Sequence, residues 1–242
     1  VSLGLAILYL QKRKLPVPFH KTDIHLTAEK TSKIFRLGFP IALQDGLINI
    51  SFLIITTIIN TMGLNEAAAV GVVEKIIVFA MLPPTALASA IAAMTAQNMG
   101  AGLPQRAKSC MYAGITCSLL FGIAICLYSQ WNPASLTAIF ADDAEVIHKA
   151  ALYLKSYSLD CILVCFIFCL NSFFSGCGHS LFSLVHSLLA TFALRIPLSY
   201  YFSLQPHVTL YQMGLAAPIA SLLSIFLCFF YLQSNRWQKY QI

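Results

Sequence analysis

The stretch AVGVVEKIIVFAMLPP, residues 69 to 84, sets Glu74 and Lys75 side by side in an apolar run from Ala67 to Ala96 that carries no other charge. Asp160 and Arg195 stand in the same way inside two other apolar runs. A carboxylate in such a setting can hold a proton or a cation, and a base on another helix can neutralise it. Sequence neighbours do not face each other on a helix, so Glu74 and Lys75 must each find a partner elsewhere. Helix rise puts Glu74 and Lys75 roughly 11 Å, Asp160 roughly 14 Å and Arg195 roughly 12 Å from the outer ends of their spans. These four are therefore expected to form a buried charge network, with Lys75 paired to Asp160. Counting Asp45, three acids face two bases, which leaves one carboxylate to bind a mobile ion.

Asp45, Asn49, Thr56 and Asn60 follow at spacings of 4, 7 and 4, close to one helical face. Polar groups turned to lipid are costly, so this stripe must face protein or a hydrated cavity. The four are candidates for ion or substrate binding; the alternative is hydrogen bonding that fastens helices together. Cys161, Cys165 and Cys169 also share a face. Thiols at that spacing could hold a metal, but no CxxC or paired histidine accompanies them, and small apolar filler is the reading taken. No metal and no cofactor are expected.

The elements that position these residues are legible in the composition. Hydrophobic residues make up 58% of the 242, charged residues 10%, and mean hydropathy is +0.76. A soluble domain carries about a quarter charged residues, so this is an integral membrane protein. Six runs are long enough to cross a bilayer: residues 37–62, 67–96, 107–130, 151–175, 182–203 and 211–232. The breaks between them carry Gly, Pro and Asn. No alternation suggests a β-barrel. The fold class expected is all-α, a polytopic six-helix transmembrane bundle. Pro40, Pro83, Pro84, Pro197 and Pro218 fall inside the runs, and interrupted helices recur in secondary transporters. In DDAEV, Asp142 with Glu145 resembles a capping box at the start of the fourth helix.

Basic residues fix an orientation. Lys12, Arg13, Lys14, Lys21, Lys30, Lys33 and Arg36 precede the first full run, Arg106 and Lys108 lie in the second connection, and Arg236 and Lys239 lie in the tail. The opposite connections hold only Lys149. Short basic loops stay cytoplasmic, which places both ends inside. VSLGLAILYLQKRK at the start suits the cytoplasmic end of a membrane helix whose beginning is missing. The organisation expected is therefore a truncated helix end at 1–11, a cytoplasmic linker at 12–36, the six-helix lobe at 37–232 and a cytoplasmic tail at 233–242. Thr27 is a candidate cap for a short helix within the linker.

GFPIALQD, AVGVVEKIIVFAMLPP, AAMTAQNMGAGLPQRAK, DDAEVIHKAALYLKSYSLDC, SGCGHS and LRIPLSY, taken in order, resemble the multidrug and toxic compound extrusion (MATE) transporters. The similarity runs from about Leu37 to Leu232 and matches the second of the family's two six-helix lobes. The resemblance implies one lobe of a twelve-helix antiporter that exports organic, often cationic, compounds in exchange for protons or sodium. It implies as partners a small-molecule substrate, membrane lipid and the missing N-terminal lobe, with no nucleic acid, and a location in the cell membrane. Some sodium-coupled members carry a glutamate about two turns beyond the first helix's proline; here that position reads Ile48–Asn49, and the fourth-helix aspartate position falls at Val164. Asp45 and Asp160 each stand about a turn away. Two alternatives are a flippase for lipid-linked precursors, which calls for a more cationic cavity, and an intramembrane enzyme, for which Asp160 beside Cys161 is the nearest candidate. An enzyme would need a second catalytic group, and the sequence offers none.

Overall fold

The computed structural model describes residues 27–238. The expected helix end at residues 1–11, the linker up to residue 26 and the last four residues of the tail lie outside the described residues. The chain divides into two compact units, residues 1–36 and 37–242. In the first, Thr27 precedes the helix, but its buried hydroxyl has no partner, so the expected cap is not made. Glu29 and Lys33 form an exposed i,i+4 ion pair at 3.1 Å.

Among the described residues every regular element is helical. They are α1 (Ala28–Asn60), α2 (Leu64–Ala80), α3 (Leu82–Gly100), α4 (Pro104–Trp131), α5 (Pro133–Thr137), α6 (Ala144–Gly176), α7 (Ser180–Ala190), a π-helical turn (Thr191–Arg195), α8 (Ile196–Ser203), α9 (Leu210–Gly214), α10 (Ala216–Gln233) and a 3₁₀ turn (Arg236–Gln238). Among the described residues five helical segments are long and apolar enough to cross a membrane, and six if the pair α2–α3, bent by 42° at its break, is counted as one span. Each of the six expected runs corresponds to one of these segments, and the protein is a multi-pass membrane protein.

Two of the prolines explain where the second span bends, and the others fall near lesser irregularities or none. Pro83 and Pro84 lie in the first turn of α3, where missing N–H groups cost no helical bond. The second span therefore stops at Met81 and restarts. Pro197 sits at the start of α8, directly after the π-helical turn that ends in Arg195. Pro218 lies in the first turn of α10, just past the break between α9 and α10 at Leu215. Pro40 alone is carried within a continuous helix.

Helix α6 is the axis of the second unit, packing against α2, α3, α4, α9 and α10. It starts one residue later than the capping pattern suggests. Asp143, not Asp142, is the cap, and its carboxylate accepts from the N–H groups of Glu145 and Val146 at 2.8 and 3.0 Å. Lys149, one turn on, bridges Glu145 at 2.6 Å and Glu66 at 2.7 Å, which ties α6 to the start of α2. The apolar core has two parts. One gathers Ile55, Ile59, Val70, Val73, Leu154 and Met213; the other gathers Met111, Ile115, Phe173, Phe174 and Trp237. Trp237 lies in the segment expected as a tail. It is fully buried, packs at a tilt against Phe173 with 5.0 Å between ring centroids and donates its indole N–H to the Leu232 carbonyl at 3.0 Å. The start of that segment therefore closes the bundle.

From residue 37 on, α1 makes few close backbone approaches to the other helices. It meets them through long side chains such as Gln44 and Phe52. The gap that this leaves is the cavity described next.

Candidate functional site

A cavity of about 550 Å³ lies among α1, the α2–α3 break, α6, α7 with its π-helical turn, and α10. Its size is in the range of small-molecule sites. Arg195, Tyr157 and Asp160 collect at one end; Gln44, Asn171 and Ser187 collect at the other, where Asp45 is the one ionisable group of the lining. The direction of each helix imposes this division. α6 enters at the first end and leaves at the second, while α7 and the π-helical turn run the opposite way.

Arg195 is the last residue of the π-helical turn. Such turns are often found at functional positions because the extra residue re-aims side chains. Its guanidinium donates to the Tyr157 hydroxyl at 3.2 Å and lies over the Phe52 ring, 4.3 Å from the centroid. Asp160 and Glu74 both act on it electrostatically, yet neither closes an ion pair with it among the described residues. Asp160 is buried, and its Oδ1 has no hydrogen-bond partner. The Ser221 hydroxyl lies alongside the same carboxylate. A carboxylate removed from water needs a compensating charge or a proton, so this oxygen is the site's open position.

Of the four residues expected as a charge network, Asp160, Glu74 and Arg195 are brought together and Lys75 is not. Lys75 is exposed on the opposite side of α2 from the core residues Ala69, Val73 and Ala80. The expected Lys75–Asp160 pair is not formed, because Glu74, Ile77 and Met81 are the residues that α2 turns toward α1 and the cavity. A depth calculation places residues along the membrane normal but says nothing about rotation about the helix axis.

The polar stripe of α1 also divides. Asp45 lines the cavity. Asn49 is exposed and turns its amide back to the Asp45 backbone carbonyl at 2.8 Å. Thr56 donates to the Phe52 carbonyl at 2.9 Å and lies against the Glu74 carboxylate. Asn60 is exposed at the end of the helix. One of the four, Asp45, is therefore in the cavity wall. Asn49, Thr56 and Asn60 are not, because the cavity face of α1 is Ile41, Gln44, Ile48 and Phe52: Asp45 stands at its edge, Asn49 lies further round, and Thr56 and Asn60 follow after the last lining residue.

Several residues of the site escaped the sequence reading. Gln44 spans from α1 to α7, donating to the Ser187 hydroxyl at 2.9 Å. His186 joins Asn171 and Ser224. A signal existed: Ser180, Ser183, His186, Ser187 and Thr191 recur at helical spacing along an otherwise apolar segment, and all five are buried. The three α6 cysteines are buried packing residues, and among the described residues no group of His, Cys, Asp and Glu is gathered as a metal would require.

A model of the MatE family matches residues 40–201. The chain belongs to that family. The MATE chain is 24% identical over 239 residues to the probable multidrug resistance protein YoeA of Bacillus subtilis (strain 168), covering 98% of this chain and 51% of the relative. It is 25% identical over 215 residues to the FAD transporter of Shewanella oneidensis, covering 87% and 46%. A MOP superfamily transporter from Pyrococcus furiosus has the same fold, with a TM-score of 0.87 at 18% identity over 97% of this chain and 53% of that one. An outward-facing multidrug resistance MATE transporter gives 0.88 at 18% identity, over 97% and 52%. The MATE chain thus spans about half the length of the relatives it matches, which fits the C-terminal lobe.

Proposed function

We propose that this chain forms the C-terminal lobe of a secondary active antiporter that exports organic compounds in exchange for protons or sodium. The observation that carries this reading is Asp160: a buried carboxylate with one unpartnered oxygen, in a cavity large enough for an organic solute. A mobile cation or proton bound there would discharge the acid, and its arrival and departure would change what the cavity tolerates. Asp45, at the wall of the same cavity, is the second acid a coupling ion or a substrate cation could use. The 42° bend at Met81 supplies an interrupted helix that rocking of one lobe against the other draws on, and the π-helical turn at Thr191–Arg195 adds a local irregularity at the cavity.

The multidrug names of several relatives support export of organic compounds as a class. The N-terminal lobe and membrane lipid are the partners this requires. The basic residues of the connections favour the cell membrane with both ends of the chain cytoplasmic. The experiment is ethidium efflux from cells expressing the full-length protein and its Asp160→Asn variant at matched levels. Loss of at least tenfold with normal membrane insertion is expected, and efflux equal to wild type removes Asp160 from the mechanism.

A further inference from the structure

His186 lies behind the cavity wall on α7 and is 1% exposed. Its ring joins three helices. Nε2 meets Asn171 Oδ1 on α6 at 2.6 Å, and Nδ1 meets Ser224 Oγ on α10 at 2.9 Å. An amide oxygen only accepts, so Nε2 carries the hydrogen, and Nδ1 of the neutral ring accepts from the Ser224 hydroxyl. The Cys228 sulfur sits 3.4 Å from Nε2 and the Phe182 ring 5.1 Å away between centroids, which holds the imidazole in its orientation. One turn earlier, the Ser183 hydroxyl donates to the Asn171 backbone carbonyl at 3.3 Å. Asn171 is thus held at two points by α7.

What remains is the Asn171 amide nitrogen. It carries two N–H donors, and among the described residues it has no hydrogen-bond partner, while Asn171 itself lines the cavity. A network built only to fasten helices would satisfy its members internally. This one uses the amide oxygen to fix the residue and leaves the donors at the wall.

We propose that His186 is a positioning residue that aims the Asn171 N–H donors into the cavity, making that end a subsite for an uncharged hydrogen-bond acceptor of the substrate, such as a carbonyl or a ring nitrogen. The proposal rests on the transporter reading and specifies the substrate group. A carbonyl entering a mostly apolar cavity loses its water partners and binds only where donors replace them. Donors already fixed by His186 lose no rotamer freedom when they do so.

The test uses the full-length protein and two fluorescent probes. Riboflavin carries carbonyl and ring-nitrogen acceptors; ethidium carries neither. Wild-type ethidium efflux is measured first, and its absence overturns the transporter reading on which this proposal rests. Riboflavin and ethidium affinities are then read by fluorescence quenching of purified protein. His186→Ala is expected to weaken riboflavin binding by about tenfold, the scale of one lost hydrogen bond, and to leave ethidium within about twofold. His186→Gln, whose side-chain amide reaches toward the Nε2 position, is expected to keep riboflavin within about threefold of wild type. Asn171→Leu should match His186→Ala, and the double variant should be no worse than Asn171→Leu. If His186→Ala fails to fold, the comparison of His186→Gln with Asn171→Leu carries the test. Absence of riboflavin binding by wild type, equal weakening of both probes, or fully additive losses overturns the proposal.

Discussion

Arg195 gives its hydrogen bond to Tyr157, at 3.2 Å, while Asp160, on the same helix as Tyr157 and lining the same cavity, is left without an ion pair among the described residues. The guanidinium is held in that position by the Phe52 ring beneath it. The cation is near enough to act on Asp160 electrostatically and is tethered away from it. A closed pair would neutralise the acid permanently. A tethered arginine leaves the carboxylate available to a mobile ion.

Removing the tether should change ion coupling before it changes folding. Tyr157→Phe keeps the ring and deletes the hydroxyl, at a stability cost of about 1 kcal/mol. Arg195 is then free to close on Asp160 and compete with the coupling ion. In proteoliposomes the variant is expected to need a severalfold higher ion concentration for half-maximal efflux. An unchanged ion dependence would mean that the tether has no part in coupling.

Lys75 gives a second prediction. Because it points away from Asp160, the two residues should behave independently. Stability losses from Lys75→Met and Asp160→Asn, measured by thermal unfolding in detergent, should add to within about 0.5 kcal/mol in the double variant. A coupling energy above 1 kcal/mol would restore the pairing that the sequence suggested.

The contrast between Lys75 and Asp160 marks what could be read without coordinates. Runs of apolar residues gave the number of spans, since length and hydropathy act along the chain and need no neighbour. Pro83 and Pro84 marked the bend of the second span for the same reason, whereas Pro40 is carried within a continuous helix. The helices themselves start earlier, at Ala28 and Ala144, where the polar turns that precede the runs at 37 and 151 are also helical. Which face of a helix looks into the cavity depends on packing against other helices, so Asp45 was placed there and Asn49, at nearly the same angle, turned out to bond its own backbone. The cysteine stripe read as small apolar filler in sequence, but nothing there says what it packs against. What opposes Cys165 is Gly122 and Ser118 of α4.

That contact carries the third prediction. A Cβ on Gly122 would lie 2.7 Å from Cys165 Sγ and 2.8 Å from the Cys161 carbonyl oxygen. Close approach of α4 and α6 therefore needs a glycine there, as small residues permit in membrane bundles. Gly122→Ala is expected to destabilise the protein by about 1–3 kcal/mol through overpacking. Gly100→Ala, where a Cβ meets nothing within 4 Å, should stay within about 0.5 kcal/mol of wild type. Equal melting temperatures for the two variants would show that α4 and α6 are not so close.

Orientation is open to the most direct measurement. Arg106 and Lys108 follow the turn at Ala101, whereas the connections near Asn65 and Pro206 contain no Lys or Arg. The positive-inside rule then puts Ala101 in the cytoplasm and Asn65 and Pro206 outside. The geometry suits labelling, because Ala101 and Pro206 are exposed and Asn65 is partly so. Of the native thiols, Cys117 is exposed and Cys110 partly so; the other six are buried. Replacing Cys110 and Cys117 by Ser therefore gives a quiet background in the described lobe. Single cysteines at Asn65, Ala101 and Pro206 in the full-length protein are then treated, in intact cells, with a maleimide that does not cross membranes. Labelling is expected at 65 and 206 and, after permeabilisation only, at 101. Labelling at 101 in intact cells would invert the lobe, put Asp45 at the outer end of the cavity and Asp160 nearer the cytoplasm, and reverse the direction in which the coupling ion must be loaded.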